Sequence, residues 1–252
     1  MNKEELKEKL VGKHLLLQPH LDDLPFSIGS ILLEQYIKKE DSTIYTIFGK
    51  EFFNIRNYAH DEHAMQILKD EEAKWFQSAG MESHRFELEE AGYRGITSIR
   101  KLFRTKSADQ FDLCYKELEY GNWEEVLGCI EKILSKHTWD FLWVPAGVGG
   151  HCDHIAVRQA VLELVSMFQG KGILFFEELP YSLYSKPLDW SKCMIPGFHL
   201  EERMVHTLSQ EEETYKYESL KHFHSQIDDR QAMALCHHPE TATLWMRNNQ
   251  EE

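Results

Sequence analysis

Apolar and polar positions along the chain follow two periods. HLLLQ (14–18) is a short apolar run that stops at Pro19, which predicts a buried strand. FSIGSILLEQYIKK (26–39) places apolar residues at 28, 31, 32 and 36, the spacing of a helix, with lysines in its last turn. STIYTIF (42–48) alternates and is β-branched, a second strand, and HDEHAMQILKDEEAKWFQSAG (60–80) reads as a helix stopped by Gly80. HRFELE (84–89) predicts a third strand, WEEVLGCIEKILSKH (123–137) an amphipathic helix, and DFLWVPA (140–146) another strand. HIAVRQAVLELVSMF (154–168) predicts a helix and GILFFEELP (172–180) a further strand.

Strand and helix alternate throughout, the pattern of an α/β, Rossmann-like three-layer sandwich with a mostly parallel sheet. No repeat, low-complexity linker or composition break divides the 252 residues, so one domain over 1–252 is expected, with a C-terminal tail from about 237 lying peripherally. In open α/β sheets ligands bind at the carboxyl ends of the strands. PHLDD (19–23), GVGGHCDH (147–154) and EELPYS (177–182) each follow a predicted strand, so three unusual polar segments share one edge of the sheet.

Composition narrows the ligand. Hydrophobic residues make up 42% of the chain and aromatics 12%, enough for a folded core. The net charge of −14, with no long basic block, argues against nucleic acid. No run approaches the roughly 20 apolar residues of a membrane span, and the N-terminal stretch lacks a signal-like apolar core. Five scattered cysteines without a CxxC fit reduced thiols and a cytoplasmic setting.

His20, Asp22 and Asp23, together with His151, Asp153 and His154, crowd ionisable groups in a way that a cation would relieve. Two imidazoles and a carboxylate with an open fourth position make a common catalytic zinc site. H-x-x-D on a tight turn lets His20 and Asp23 face one point, and His154 can reach it from a neighbouring strand end. Asp22 then lies beside the ion as a general base, His151 is placed to stabilise an oxyanion, and Asp153 can fix a histidine tautomer. Each motif alone has an ordinary explanation: HxDH on a solvated loop, or Asp-Asp as a helix cap. Their joint occurrence at strand ends favours the metal, and the glycines of GVGG offer backbone where side chains would crowd a ligand.

At these residues the sequence resembles the PIG-L/LmbE-like family of zinc-dependent N-acetylglucosaminide deacetylases. The matches are Pro19-His20-Leu21-Asp22-Asp23 and His151-Cys152-Asp153-His154, and the likeness runs from about residue 13 to 230. FFEELPYS (175–182), KYESLKHFHSQ (216–226) and DEEAKWFQSAGM (70–81) look like further family segments. The chain looks closer to a branch that writes PHLDD, GVGGHxDH and LPY. The resemblance implies one Zn²⁺ per chain held by His20, Asp23 and His154, with Asp22 as base and His151 at the tetrahedral intermediate. It departs at Leu24, where the family usually has Glu, and at Lys69, where an arginine is common.

The implied reaction is hydrolysis of an N-acyl amino sugar or glycoconjugate, a small-molecule substrate; self-association into a homo-oligomer is compatible with the sequence. Arg94, Arg100, Lys101, Arg104 and Lys106 form a basic stretch without acids, either a solvated segment or a lid for an anionic substrate. Glu177 is expected to orient a ligand histidine or bind sugar hydroxyls, and Tyr181 to contact substrate or pack. The competing classes are another metallohydrolase, such as a two-metal phosphoesterase, and a non-catalytic sugar-binding homologue.

Overall fold

A computed structural model describes residues 3–50, 62–96, 122–164, 167 and 170–248. Seven strands form one sheet in the order β3-β2-β1-β4-β5-β7-β6. They are β1 His14–Gln18, β2 Ser42–Thr46, β3 Ser83–Arg85, β4 Phe141–Pro145, β5 Gly172–Phe176, β6 Phe198–His206 and β7 Glu240–Arg247. The first five run parallel, and β7 pairs antiparallel with both β5 and β6.

The central strands β1, β4 and β5 are buried at every position, which explains their continuous apolar runs. Leu15, Leu17, Leu142, Val144, Ile173 and Phe175 belong to one apolar layer. Leu16, Phe141, Trp143, Leu174 and Phe176 belong to the other. Helices α4 (Trp123–Lys136) and α5 (Cys152–Glu163) cover the first layer. Helices α2 (Asp23–Leu33), α3 (Glu62–Ser78), α6 (Gln210–Leu220) and α7 (Asp229–Cys236) cover the second, while α1 (Lys3–Lys9) adds Leu6 to it. The three-layer sandwich with a mostly parallel sheet is as the alternating pattern predicts.

The sheet grows from β1 toward β3 on one side and from β4 toward β5 on the other. The order in which strands are added therefore reverses between the parallel neighbours β1 and β4, and such a switch point opens a crevice at the carboxyl ends. PHLDD leaves β1 and GVGGHCDH leaves β4, so topology brings the two motifs together.

The expectation of a peripheral tail from about residue 237 is corrected: β7 lies inside the sheet, between β5 and β6. Its burial extends from Glu240 to Trp245. Glu240 holds α2 in place. That helix is irregular at Ile28 (φ −134°, ψ 25°), which leaves backbone groups needing partners. The Glu240 carboxylate accepts from the amides of Ser30 (2.8 Å) and Ile31 (3.1 Å). Lys216 Nζ donates to Phe26 O at 2.8 Å and to Glu240 Oε1 at 2.7 Å, with both side chains fully buried. Lys216 of KYESLKHFHSQ thus serves the framework, as does Ser225, whose amide and hydroxyl both donate to the buried Glu71.

Candidate metal centre and active site

His20 and Asp23 lie at the turn from β1 into α2, and His154 in the first turn of α5. His20 Nδ1 is 3.2 Å from His154 Nε2 and 3.5 Å from Asp23 Oδ2, and His154 Nε2 is 3.3 Å from Asp23 Oδ1. Ligand atoms about 2.0–2.1 Å from a tetrahedral zinc would stand roughly 3.3–3.4 Å apart. The spacing and chemistry of these three groups fit such an ion. All three residues are buried.

Neighbouring carboxylates decide which nitrogen of each histidine carries a lone pair. Glu178 Oε1 accepts from His154 Nδ1 at 3.1 Å, leaving Nε2 to face His20 and Asp23. Glu178 is itself fixed by the amides of Gly147 (2.6 Å) and Val148 (3.0 Å). On the other side, His20 Nε2 donates to Asp153 Oδ2 at 3.2 Å, leaving Nδ1 toward the centre. Carboxylates of this kind orient metal-binding imidazoles and raise their basicity.

Of the two roles expected of Glu177, orienting a ligand histidine or binding sugar hydroxyls, the histidine contact is made by its neighbour: Glu178 meets His154. One residue along a strand end turns the side chain to the opposite face. Glu177 instead accepts from Arg203 Nε (2.9 Å) and Nη2 (3.0 Å). Arg94, expected within a basic lid or solvated stretch, is turned inward: its guanidinium donates to Asp153 Oδ1 and, at 2.8 Å, to Asn122 Oδ1. Arg100 and Arg104 lie outside the described residues. Lys69 pairs with Glu87.

His151 caps α5, its Nδ1 accepting from the Asp153 amide at 3.3 Å. Burial, reinforced by His154 and His20, holds this imidazole well below its ordinary pKa, so it is neutral. With Nδ1 accepting, the hydrogen-bond pattern assigns the proton to Nε2, making His151 a donor. Its ring lies 5.0 Å from those of both His20 and His154. Tyr181 stacks beside it, with centroids 6.0 Å apart, and meets His154 edge-on at 5.3 Å. Gly149 makes that approach possible: at φ +78° a Cβ would stand 2.9 Å from the Tyr181 Cβ. Cys152 turns into the apolar layer under α5.

The two aspartates outside the ligand set differ. Burial, then the adjacent Asp23 carboxylate, pushes Asp22 up to about 7. Burial also works against ionised Asp153, but the His20 hydrogen bond and the Arg94 charge outweigh it and hold that carboxyl far below the usual range. The turn carrying Asp22 is braced by Gln18, whose Oε1 accepts from the Leu24 amide at 3.1 Å and whose Nε2 donates to Thr46 Oγ1 and Glu72 Oε1, each at 2.8 Å. Leu24 packs in the apolar layer over α2, so the position of the family's usual glutamate serves the core here.

Among the described residues, two further clusters have geometry compatible with a metal: His20 with Glu90 and Asp153, and His151 with Cys152 and Asp153. His151 also groups with His20 and His154. Glu90, Glu178 and Gln18 carry no motif of their own; only the fold shows what they touch.

Residues 15–165 match the family model of PIG-L, GlcNAc-PI de-N-acetylase. The chain belongs to this family. It is 28% identical over 186 residues to 2'-N-acetylparomamine deacetylase of Streptomyces fradiae, a match covering 70% of this chain and 61% of that protein's length. Its fold is similar to that of the zinc-inhibited form of teicoplanin deacetylase Orf2 (TM-score 0.68, 19% identity, 95% of this chain and 100% of that one). It is also similar to N,N'-diacetylchitobiose deacetylase from Pyrococcus horikoshii (TM-score 0.60, 13% identity, 94% and 84%).

Proposed function

We propose that this protein is a zinc-dependent hydrolase that removes an N-acyl group, specifically N-acetyl, from an amino sugar or glycoconjugate. The observation that carries this reading is the convergence of His20 Nδ1, His154 Nε2 and the Asp23 carboxylate within 3.2–3.5 Å of one another. The deacetylase names of its relatives support the reaction class. One zinc per chain, held by His20, Asp23 and His154, would polarise the acyl oxygen and acidify a coordinated water.

Asp22 receives the proton of the attacking water on its carboxylate; an intrinsic pKa near neutrality suits a group that must accept and return a proton. His151 donates from Nε2 to the oxygen on which charge develops, where such a donor acts most strongly. Protonated Asp22 then returns its proton to the leaving amine. Tyr181, beside His151, and Glu177 are proposed substrate contacts, with Arg203 aligning Glu177. A role for Arg100 and Arg104 in drawing an anionic substrate is tested by neutralising both: KM for a phosphorylated substrate rises while that for a neutral one holds. The free thiols of Cys129, Cys152, Cys193 and Cys236 support a reducing, cytoplasmic setting. No helix among the described residues is long and apolar enough to cross a membrane.

The deciding experiment is a screen of N-acetylated amino sugars, sugar nucleotides and aminoglycosides for acetate release by zinc-loaded and chelator-stripped protein. Release by the loaded protein alone, with about one zinc per chain, is the expected result. Equal release from both, or a content of two metals, overturns the single-zinc reading.

A further inference from the structure

We propose that Arg94 is a positioning residue of the metal centre: clamped between Asp153 and Asn122, it fixes the carboxylate that sets the tautomer of His20. This rests on the zinc reading above and extends it to a residue outside both motifs.

Asp153 is fully buried, and its two oxygens have divided tasks. Oδ2 accepts from His20 Nε2 at 3.2 Å and from the Ala91 amide at 2.9 Å. Oδ1 accepts from Arg94 Nη2, while Arg94 Nη1 donates to Asn122 Oδ1 at 2.8 Å. A planar guanidinium held at both ends leaves the carboxylate little rotational freedom. With Asp153 locked, His20 keeps its proton on Nε2 and presents the Nδ1 lone pair to Asp23 and His154. The segment from Glu90 to Arg94 thus forms a wall of the site. Its backbone is closed by Arg94 N donating to Glu90 O at 3.3 Å, so the arginine and the Ala91 amide act on Asp153 as one unit.

The fixed positive charge also bears on the cluster of His20, Glu90 and Asp153. A second divalent cation there would share the Asp153 carboxylate with a guanidinium, an arrangement like charges oppose. The same contact therefore disfavours a second ion at that cluster.

The test uses the full chain as wild type, Arg94→Met and Arg94→Lys, each stripped of metal and titrated with Zn²⁺ against a chromophoric chelator. In the zinc-loaded proteins, where an ion on Nδ1 leaves the proton on Nε2, proton–nitrogen spectra report whether that His20 Nε2–H is hydrogen-bonded to Asp153. Arg94→Met is expected to bind zinc about 10–100-fold more weakly, the usual effect of losing such an outer partner. It should also lose the downfield, exchange-protected His20 Nε2–H signature, and Arg94→Lys should recover part of both. Wild-type affinity with an unchanged His20 signature in Arg94→Met overturns the proposal, as does equal weakening of both variants with the Nε2–H signature intact. If Arg94→Met is insoluble, Arg94→Lys decides alone, because a single ammonium does not reproduce the two-ended guanidinium clamp on Asp153 and Asn122; unchanged affinity and Nε2–H signature then refute it. Wild type that takes up no zinc removes the zinc reading and this proposal with it, whereas tight wild-type binding with an indifferent Arg94→Met removes only the proposal.

Discussion

Asp22 and Asp153 lie in one crevice, yet their surroundings drive them in opposite directions. Burial and the Asp23 carboxylate raise Asp22 to about 7, whereas His20 and Arg94 keep Asp153 ionised against the cost of burial. Carboxyl groups whose environments separate them in this way take different parts in a reaction. Asp22→Ala should lower kcat by roughly two to four orders of magnitude, the usual contribution of a general base, with zinc content unchanged. Full turnover in that variant, measured by acetate release, would remove Asp22 from the mechanism. Glu178→Ala should instead act on the metal, weakening zinc binding about 10–100-fold in a chelator competition because His154 loses the acceptor at Nδ1. His14 offers a test away from the site. Its Nδ1 accepts from Trp143 Nε1 at 3.0 Å and its Nε2 donates to Leu10 O at 2.9 Å, so the ring is neutral, and burial lowers its pKa to about 4. The unfolded chain, with His14 near 6.5, binds the extra proton between those values. The stabilisation is therefore complete above about 6.5 and is lost as pH falls toward 4, amounting to about 3 kcal/mol. Denaturation midpoints of wild type and His14→Gln, compared from pH 4 to 7, should show the shallower acid slope in the variant.

At the scale of elements, the sequence reveals what lies in long apolar runs and hides what lies at edges. HLLLQ is buried at every position, and its predicted bounds match β1. The strand expected over 84–89 is shorter as β3, but its pairing continues through Phe86 N donating to Thr46 O at 2.9 Å and through isolated bridges at Glu87 and Glu89. FHLEERMVH, β6, is an edge strand with exposed Glu201 and a charged middle, a protection against edge pairing that also erases the apolar pattern. ETATLWMR, β7, opens on a glutamate whose purpose is to meet α2 across the fold. The motif residues were legible because their spacing encodes a turn; Glu178 and Gln18 were not, because their partners are distant in sequence. Lys216 and Glu240 provide the corresponding test. Replacing one member, as in Lys216→Met, strands a buried carboxylate and the Phe26 carbonyl, and should cost about 3–5 kcal/mol in chemical denaturation. A loss below about 1 kcal/mol would mean the pair is dispensable. Gly149→Ala should cost about 1–2 kcal/mol for its left-handed backbone and displace Tyr181 as well.

The whole molecule joins two sides of a sheet at the β1/β4 crevice, and the proposed zinc ligands come from both. Zinc that binds only the folded protein should therefore stabilise it in proportion to saturation, by about 2.7 kcal/mol at a free concentration 100 times Kd. Calorimetric midpoints with and without chelator check this, and identical midpoints would argue against a preformed centre. The family match ends at residue 165, yet the fold does not. Of the seven described strands, β7 is made last, and it must enter between two that are already present in the chain. During synthesis, a nascent polypeptide can carry every proposed zinc ligand outside the ribosome while α2 still lacks the carboxylate that meets its irregular turn. Bracing of that turn of α2 is thereby tied to synthesis of β7, and a chain not yet extended to Glu240 lacks that support.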